Sequence, residues 1–268
     1  MKRSSGVIAV DVGNTAVKLS LRPQGADANP AFAMNLESSC RSFALDRPRW
    51  DESIADWIRD QDCGETSLAP QEWRIASVNR RASDQLCKQV ERSFPNATLR
   101  PISYRDVPMS IEIDSPDKVG IDRLLSAYAA RNRYAVPLVV IDAGSAVTVD
   151  LVDASGCFVG GAILPGLNLQ TTALTMGTAA LPTIDWTNAD PLTIPGRNTV
   201  QAIRLGVLTS VTASIDRLIA HYDCGFDGAT PQRVVILCGG DAPVISPHIK
   251  HEHVMHPHLV CQGLLDLG

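Results

Sequence analysis

Two segments of the chain share one design, in which a short apolar run ends in an aspartate that is followed by a glycine turn. The first is the run 7–10 followed by Asp11-Val12-Gly13-Asn14-Thr15. The second is the run 138–141 followed by Asp142-Ala143-Gly144-Ser145. Short runs rich in β-branched residues predict buried strands, and the glycine after each aspartate permits a tight turn. The repeat predicts a chain built from two equivalent halves that face each other across a cleft.

Both turns offer groups suited to a nucleotide. Backbone N–H groups in such turns bind phosphate oxygens, and a carboxylate at a strand end provides a place for the accompanying cation. Asn14, Thr15 and Lys18 add donors at the first turn, as Ser145 and Thr148 do at the second. Phosphoryl transfer is therefore the first functional hypothesis. The alternative is that strand-Asp-x-Gly simply ends a strand and that the hydroxyls satisfy the turn backbone.

The bulk composition narrows the class of protein. The chain has 268 residues, of which 45% are hydrophobic and 20% charged, and its net charge is -5, so we expect no general affinity for nucleic acid. Its 7 cysteines include no C-x-x-C pair, which is typical of reduced thiols in a cytosolic protein. We find no apolar stretch of the roughly 20 residues that span a bilayer, so we expect a cytoplasmic protein without membrane association.

Apolar periodicity alternates between the patterns of strands and helices, which predicts an α/β fold. The proline-containing segment 107–116 suits a crossover between the halves, and 23–30 is a turn-rich connection. The predicted strands are 7–10, 16–21, 73–78, 99–102, 138–141, 146–152, 158–164 and 234–237, and the predicted helices are 51–60, 83–94, 121–129, 167–176 and one that follows Asn198.

Asp122 is the best candidate for a catalytic base. Gly120-Ile121-Asp122-Arg123 begins a predicted helix, and Asp122 lies off its apolar stripe, near the positive end of the helix dipole, which favours an ionised carboxylate. Such a carboxylate can accept a proton from an alcohol late in phosphoryl transfer. The alternative is an aspartate that only stabilises the start of its helix.

Other candidate residues carry weaker signals. The pairs Gly160-Gly161, Pro165-Gly166 and Gly239-Gly240 would let a ligand or a second backbone come close, or would only mark turns. Thr199 stands beside a helix start, where capping is its ordinary role. The five histidines of His248–His258 lack a carboxylate or cysteine set at zinc spacing, so we expect an exposed connection there. The P-loop, Rossmann, G-x-S-x-G and H-E-x-x-H patterns do not occur in the sequence.

In combination, these motifs resemble the type III pantothenate kinases. The resemblance covers most of the chain in the same order, and it rests on Asp11 to Thr15, Gly120 to Arg123, Asp142 to Thr148, Gly160 to Gly166, Thr178 to Pro182, Asn198 to Ile203, Gly239-Gly240 and Gln262 to Leu265.

The resemblance implies a fold and an activity. That family belongs to the acetate kinase, sugar kinase, Hsp70 and actin superfamily, in which two related ribonuclease H-like domains hold ATP in a cleft between them. We expect domains at 1–115 and 116–268 and phosphorylation of pantothenate by ATP, the first step of coenzyme A synthesis. We also expect a homodimer with substrate sites at its interface.

The resemblance also implies roles for individual residues. Asp122 would be the base on the primary hydroxyl of pantothenate. Asp11 would face the magnesium that accompanies ATP, and Asp142 would help bind a monovalent cation, potassium or ammonium. The remaining ATP contacts would be Asp11, Val12, Gly13, Asn14, Thr15, Ala16, Val17, Lys18 and Ser145, and the substrate contacts would be Gly120, Ile121, Asp122, Arg123 and Thr199.

The chain departs from the family pattern at two positions. Ile113 stands where family members commonly carry a tyrosine, which leaves one substrate contact in doubt, and Ser145 stands where threonine is usual. A related kinase with another hydroxylated acceptor is therefore an alternative. A second alternative, from a different class, is a regulatory protein, because the family includes Bvg accessory factors. The intact set of Asp11, Asp122, Arg123 and Asp142 argues against that non-catalytic role.

Overall fold

A computed structural model describes residues 6–22, 40–61, 71–187, 191–224 and 233–268. The predicted turn-rich connection at 23–30 lies outside these residues. By contacts, the chain divides into two compact units. The first unit combines 1–108, 115–129 and 258–268, and the second combines 109–114 with 130–257.

The first unit is built on a mixed five-stranded sheet. Its strands are β1 (Gly6–Val12), β2 (Ala16–Arg22), β3 (Cys40–Ala44), β4 (Gln71–Ser77) and β5 (Thr98–Pro101). They lie in the order β3-β2-β1-β4-β5. β2 runs antiparallel to both β1 and β3, whereas β1, β4 and β5 are parallel.

The two faces of this sheet have different coverings. Ile8, Val10 and Val12 of β1 belong to a buried cluster with apolar residues of helices α1 (Trp50–Gln61) and α2 (Arg80–Ser93). Because side chains alternate along a strand, Ala9 and Asp11 face the other side. The C-terminal helix, Leu259–Asp266, contacts β1, β2 and β4, and Arg74 of β4 donates a hydrogen bond of 3.0 Å to the carbonyl of its Leu264.

Helix α3 (Ile121–Arg131) places residue 122 in the first unit. The predicted apolar stripe is buried at Ile121, Leu124, Leu125, Tyr128 and Ala129. The C-terminal helix approaches α3 closely at Gly263, where a Cβ would overlap the Leu125 carbonyl.

The second unit repeats the topology of the first. Its sheet comprises β6 (Leu138–Ala143), β7 (Ala146–Val152), β8 (Phe158–Pro165), β9 (Val234–Cys238) and β10 (Val254–Met255). Its order, β8-β7-β6-β9-β10, matches the first sheet strand for strand. β7 is antiparallel to β6 and β8, and β6, β9 and β10 are parallel. The prediction of two related α/β halves is confirmed, since one mixed-sheet design occurs twice.

Helices pack on the second sheet and continue its apolar core. They are α4 (Leu167–Gly177), α5 (Thr199–Cys224) and the short α6 (Ala242–Ile245), and the C-terminal helix described above is α7. The apolar residues of α5 form a stripe that is largely buried, with Val211, Ile215 and Ile219 almost inaccessible to solvent. Leu218 of the same stripe is only partly buried. Among the described residues, no helix has both the length and the apolarity to cross a membrane.

Most predicted elements occur within a few residues of their expected bounds. Helix α2 begins at Arg80 rather than Ser83 because the Asn79 side chain accepts a hydrogen bond from the Ala82 N–H and caps the helix earlier. Four of the elements named above were not predicted: β3, the two-residue β10, the short α6 and α7. The compact units also place 115–129 and 258–268 with the first sheet. The domain boundary after 115, which separates the two sheets, stays a prediction.

Candidate functional site

The first candidate loop connects β1 to β2. The Gly13 N–H donates to the Ala16 carbonyl at 3.0 Å, which closes the turn. Asp11 lies directly opposite Lys18 in the antiparallel register, and the Lys18 Nζ is 3.9 Å from the Asp11 carboxylate. Asp11 is buried, whereas Asn14 and Thr15 at the tip are exposed. The loop therefore combines accessible polar groups with one buried carboxylate beside a cation.

The second candidate loop connects β6 to β7 and has a similar design. The Gly144 N–H donates to the Ala146 carbonyl at 3.0 Å, so this turn closes over one residue fewer than the first. Asp142 takes the position equivalent to Asp11, and its partner across the hairpin is Thr148. The two carboxylates thus have different neighbours, a lysine in the first unit and a hydroxyl in the second.

Thr148 is a distinctive feature of the second loop. Its Oγ1 is buried and has no hydrogen-bond partner among the described residues. Buried hydroxyl groups are normally hydrogen-bonded, and the exceptions call for an explanation such as an absent ion or water. The arrangement fits a cation, because Thr148 and Asp142 lie opposite each other in register and supply oxygen donors.

Two glycines hold the second loop against its neighbours. A Cβ at Gly166 would lie 2.7 Å from the Ser145 carbonyl oxygen, and the Gly166 N–H donates to that oxygen at 3.1 Å. Gly239 has a φ of +96° and touches the Ala143 backbone so closely that a Cβ there would overlap it. At Gly166 and Gly239 the missing side chain lets a second backbone come close, as the sequence allowed, so these glycines do more than mark turns.

The start of α4 lies beside Ser145. Gly166 is the N-cap residue of this helix, no side chain caps it, and its first turn contains no acidic residue. The N-terminus of a helix presents N–H groups and a partial positive charge, which together favour an anion. The second loop and this helix start therefore bring N–H donors that suit an anion together within one unit.

Asp122 lies at the start of α3, in the same unit as Asp11 and Lys18. Its Oδ1 accepts a hydrogen bond of 2.9 Å from the Arg123 N–H. Burial raises the pKa of the Asp122 carboxyl above its ordinary value, although the Arg123 N–H and the charges of Arg123 and Lys18 oppose this. The sequence indicated that the helix end would favour the ionised form. In the fold, the loss of solvent around the Asp122 carboxyl raises its pKa more than the Arg123 N–H and the nearby positive charges lower it.

Gly120 leaves room for the Asp122 side chain. A Cβ at residue 120 would overlap Asp122 Oδ1 and would lie 3.8 Å from Arg123 Cδ. The missing side chain at 120 therefore allows the carboxylate its present position. This explains why glycine suits the Gly-x-Asp-Arg motif on steric grounds alone.

Thr199 is the exposed first residue of α5. The helix is capped by Asn198, whose Oδ1 accepts from the Gln201 N–H at 2.9 Å, so Thr199 is not needed for capping. Thr199 lies at the edge of an apolar groove of about 800 Å³ between α4 and α5. Its position leaves the hydroxyl available to a ligand.

Ile113 lies on the segment that runs along β8. Its Cγ2 would be 3.6 Å from a Cβ at Gly160, which has a φ of +106°. The neighbouring Glu112 N–H donates to the Phe158 carbonyl at 2.9 Å. The residue that departs from the family pattern therefore packs beside one of the glycine pairs noted in the sequence.

The histidine-rich stretch makes local contacts. His251 Nδ1 is 3.0 Å from Asp216 Oδ1, and His253 Nε2 is 2.8 Å from the Ser246 hydroxyl. No group of three or more His, Cys, Asp or Glu side chains in the described parts of the chain is arranged to hold a metal ion. The stretch is also less exposed than expected, since only His248 of its five histidines is exposed and the other four are half-buried.

Each unit gathers part of the predicted site. The first holds the loop Asp11 to Lys18 and the segment Gly120 to Arg123, and the second holds Asp142, Ser145 and Thr199. The sequence did not indicate that α7 lies on the first loop's strands, where the Cys261 thiol contacts the Lys18 carbonyl at 3.6 Å. The apolar residues at 259, 260, 264 and 265 could have indicated this helix.

Comparisons with known proteins agree with these observations. A sequence model of the type III pantothenate kinase family matches residues 7–221. A Rhodopirellula baltica protein named type III pantothenate kinase is 40% identical and covers 97% of each chain.

Solved structures share the fold at low sequence identity. A Campylobacter jejuni protein named for the Baf family of transcriptional activators has a TM-score of 0.55 at 16% identity, covering 97% of this chain and 96% of that one. Porphyromonas gingivalis acetate kinase has a TM-score of 0.51 at 10% identity, covering 98% of this chain and 99% of that one. At such identities the likeness supports the fold and no particular role. The family match extends over most of the sequence, and the chain belongs to the type III pantothenate kinase family.

Proposed function

We propose that this protein transfers the γ-phosphoryl group of ATP to the primary hydroxyl of pantothenate, giving 4'-phosphopantothenate. One observation carries the proposal beyond family membership: Asp122, half-buried at the start of α3, belongs to the same unit as Asp11 and Lys18, and the Lys18 Nζ is 3.9 Å from the Asp11 carboxylate. The Lys18 charge also acts to lower the pKa of Asp122, against the effect of burial. A base, a cation and a second carboxylate thus belong to one unit. This is the set that a phosphoryl transfer to an alcohol requires.

Asp122 would act as the general base. Its raised pKa makes the carboxylate a stronger proton acceptor than an exposed aspartate. The hydroxyl proton would pass to the Asp122 carboxylate as the oxygen attacks phosphorus in line with the departing ADP oxygen. Gly120, Ile121 and Arg123 would hold the acceptor around this carboxylate, and Thr199 would contribute its exposed hydroxyl.

The two loops would hold ATP. Residues Asp11, Val12, Gly13, Asn14, Thr15, Ala16, Val17 and Lys18 would contact phosphates through N–H groups and the lysine charge. Ser145 and the uncapped start of α4 would contact ATP from the second unit. Asp11 would face the magnesium that accompanies ATP, and carboxylate oxygens such as those of the buried Asp11 suit a hard divalent cation. When bound, magnesium would neutralise part of the negative charge on the ATP phosphates.

Asp142 and Thr148 would bind a monovalent cation, potassium or ammonium. The support is the buried Thr148 hydroxyl, which is without a partner among the described residues and lies opposite Asp142. Lysine in the equivalent position of the first hairpin supplies a built-in positive charge, whereas threonine leaves that charge to an ion. Such an ion would add positive charge near the phosphates.

We propose a homodimer as the working assembly. Helix α4 contains no charged residue, and Leu169, Leu174 and Met176 on it are 53%, 37% and 83% exposed. Together with α5, this helix borders the apolar groove described above. Apolar surface of this kind marks an interaction site, and a second copy of the chain would cover it. We also propose that the protein is located in the cytoplasm, because the described cysteines are free thiols and thiols stay reduced in that compartment.

A coupled assay of ADP release tests the proposed activity. We expect ADP to form only when pantothenate, ATP, magnesium and either potassium or ammonium are all present, and mass spectrometry to show 4'-phosphopantothenate. Replacing potassium with sodium tests the monovalent site separately. A hydroxylated acid or sugar that outcompetes pantothenate would identify a related kinase, and the absence of turnover under all these conditions would contradict the proposal.

A further inference from the structure

Two thiols, a histidine and the first candidate loop meet beneath helix α7. Cys40 begins β3 and pairs with Ser20 of β2, so its side chain lies on the sheet face that α7 covers. The Cys261 thiol in the first turn of α7 contacts the Lys18 carbonyl of β2 at 3.6 Å. The side chains of Cys261 and His258 lie close enough to the Cys40 sulfur to act on it. Cys40 is half-buried and Cys261 is fully enclosed.

Local geometry supports a built cluster. His258 has a φ of 62°, a left-handed conformation that is uncommon for a residue with a side chain. It directly precedes α7 as the N-cap residue. Ser20, the partner of Cys40 across the strands, has a buried hydroxyl without a hydrogen-bond partner among the described residues. Non-glycine residues in this conformation concentrate at functional sites.

The charges around Cys40 favour its thiolate. The Cys261 thiol lowers the pKa of the Cys40 thiol most, and His258 and the Lys18 charge lower it further, against the effect of burial. The pKa of the Cys261 thiol is raised by the neighbouring Cys40 sulfur, by burial and by the Asp11 charge. The thiolate is the nucleophile in thiol chemistry, so the accessible member of the pair is also the more reactive one.

We propose that Cys40 and Cys261 form a thiol–disulfide exchange site, in which Cys40 attacks a small-molecule disulfide and Cys261 resolves the product. The Cys40 thiolate would bond to one sulfur of the disulfide and release the other half as a thiolate. The Cys261 sulfur would then bond to Cys40 and release the second half. The small disulfide is reduced to two thiols, which take up the two cysteine protons, and the cysteines are oxidised to a protein disulfide.

The site adjoins the phosphate loop. Cys261 donates to the Lys18 carbonyl at 3.6 Å, and a disulfide removes that donor. Only the effect on kinetics rests on the proposed function: oxidation would disturb the pair of Lys18 and Asp11 and lower kcat/KM for pantothenate phosphorylation. Losing one hydrogen bond near a loop corresponds to about a fivefold effect.

Intact-mass analysis of the full chain treated with glutathione disulfide at pH 7 tests the site without reference to activity. We expect the wild type to lose the mass of two hydrogen atoms and to give a peptide that links residues 40 and 261. Cys261→Ser should stop at a glutathione adduct on Cys40, and Cys40→Ser should form neither product. Cys87→Ser is the matched control, because Cys87 is a half-buried thiol whose pKa is raised by burial.

A second measurement uses the wild type alone and avoids any folding defect of a variant. The rate of iodoacetamide labelling should stay nearly constant at Cys40 from pH 8.5 to pH 6.5, while an ordinary thiol slows by about 50-fold over that range. Equal pH dependence at Cys40 and Cys87, or an intramolecular disulfide that persists in Cys40→Ser, would overturn the proposal. Unchanged kcat/KM in the oxidised enzyme would overturn the coupling to the loop.

Discussion

Partial burial of Asp122 raises its pKa, which suits the proposed role as a base but lowers the stability of the folded protein at neutral pH. We expect Asp122→Asn to lower kcat by about 100- to 10,000-fold, because the amide cannot accept the hydroxyl proton. Asn can still accept the Arg123 N–H, so the local geometry should persist. Steady-state kinetics with the pantothenate affinity measured by calorimetry checks this. Turnover near the wild-type level with binding intact would remove Asp122 from the role of base.

The same substitution should raise the thermal stability of the protein at neutral pH. The folded-state pKa of Asp122 is raised, so folding favours the protonated form. Below the unfolded-state pKa of about 3.9 both states hold the proton and no penalty exists. The penalty grows as pH rises from there and levels off above the folded-state pKa. We therefore expect the stability advantage of Asp122→Asn to appear above about pH 4 in calorimetric scans. A variant less stable than wild type at pH 7 would contradict this.

Gly120 tests whether the position of the Asp122 carboxylate matters. The Cβ of Gly120→Ala would overlap Asp122 Oδ1, the movable end of a side chain, so the carboxylate should shift while the backbone stays in place. We expect a fall in kcat of about tenfold or more with little change in Tm, since small displacements of a reacting group are costly. Gly268→Ala, where a Cβ meets nothing within 4 Å, is the control. Unchanged kcat in Gly120→Ala would show that the overlap is relieved without consequence.

At the scale of elements, the turn after β9 shows how a glycine lets two strands approach. Gly239→Ala should destabilise the protein by about 2 kcal/mol or more, because its left-handed φ and its overlap with the Ala143 backbone both oppose a side chain. Gly240→Ala is a matched control in the next position, where a Cβ meets nothing within 4 Å. Urea unfolding of both variants measures the difference. Equal stability of the two would contradict the described contact.

At the scale of the whole molecule, the apolar surface of α4 tests the proposed dimer. Light scattering should give twice the 28.8 kDa mass of one chain for the wild type. Leu169→Asp combined with Leu174→Asp should shift the protein to the single-chain mass, because a buried charge opposes association. Val254→Asp, at a residue that is 42% exposed on β10, is the control. A monomeric wild type, or a dimeric double variant with native circular dichroism, would contradict the proposal.

Local sequence patterns predicted much of the fold because the patterns match local physics. The runs at 7–10 and 138–141 became central strands, and the stripe beginning at Ile121 became the buried side of a helix. Helix α7 was not predicted, because its apolar residues follow a histidine-rich stretch that indicated an exposed connection. Strand β3 was missed as well, since Cys40–Ala44 carries little apolar periodicity and depends on pairing with β2.

The sequence by itself determined the two-fold repeat of strand, aspartate and glycine turn, the α/β class and the candidate residues, because each depends on neighbours in the chain. Only the tertiary structure decided the environment of those residues. Partial burial of Asp122 and the thiol pair beneath α7 arise from segments far apart in sequence. The lysine that faces Asp11, and the threonine that faces Asp142, depend on the register of each hairpin. Solvent exclusion and charge proximity depend on which surfaces meet, and no local pattern encodes that.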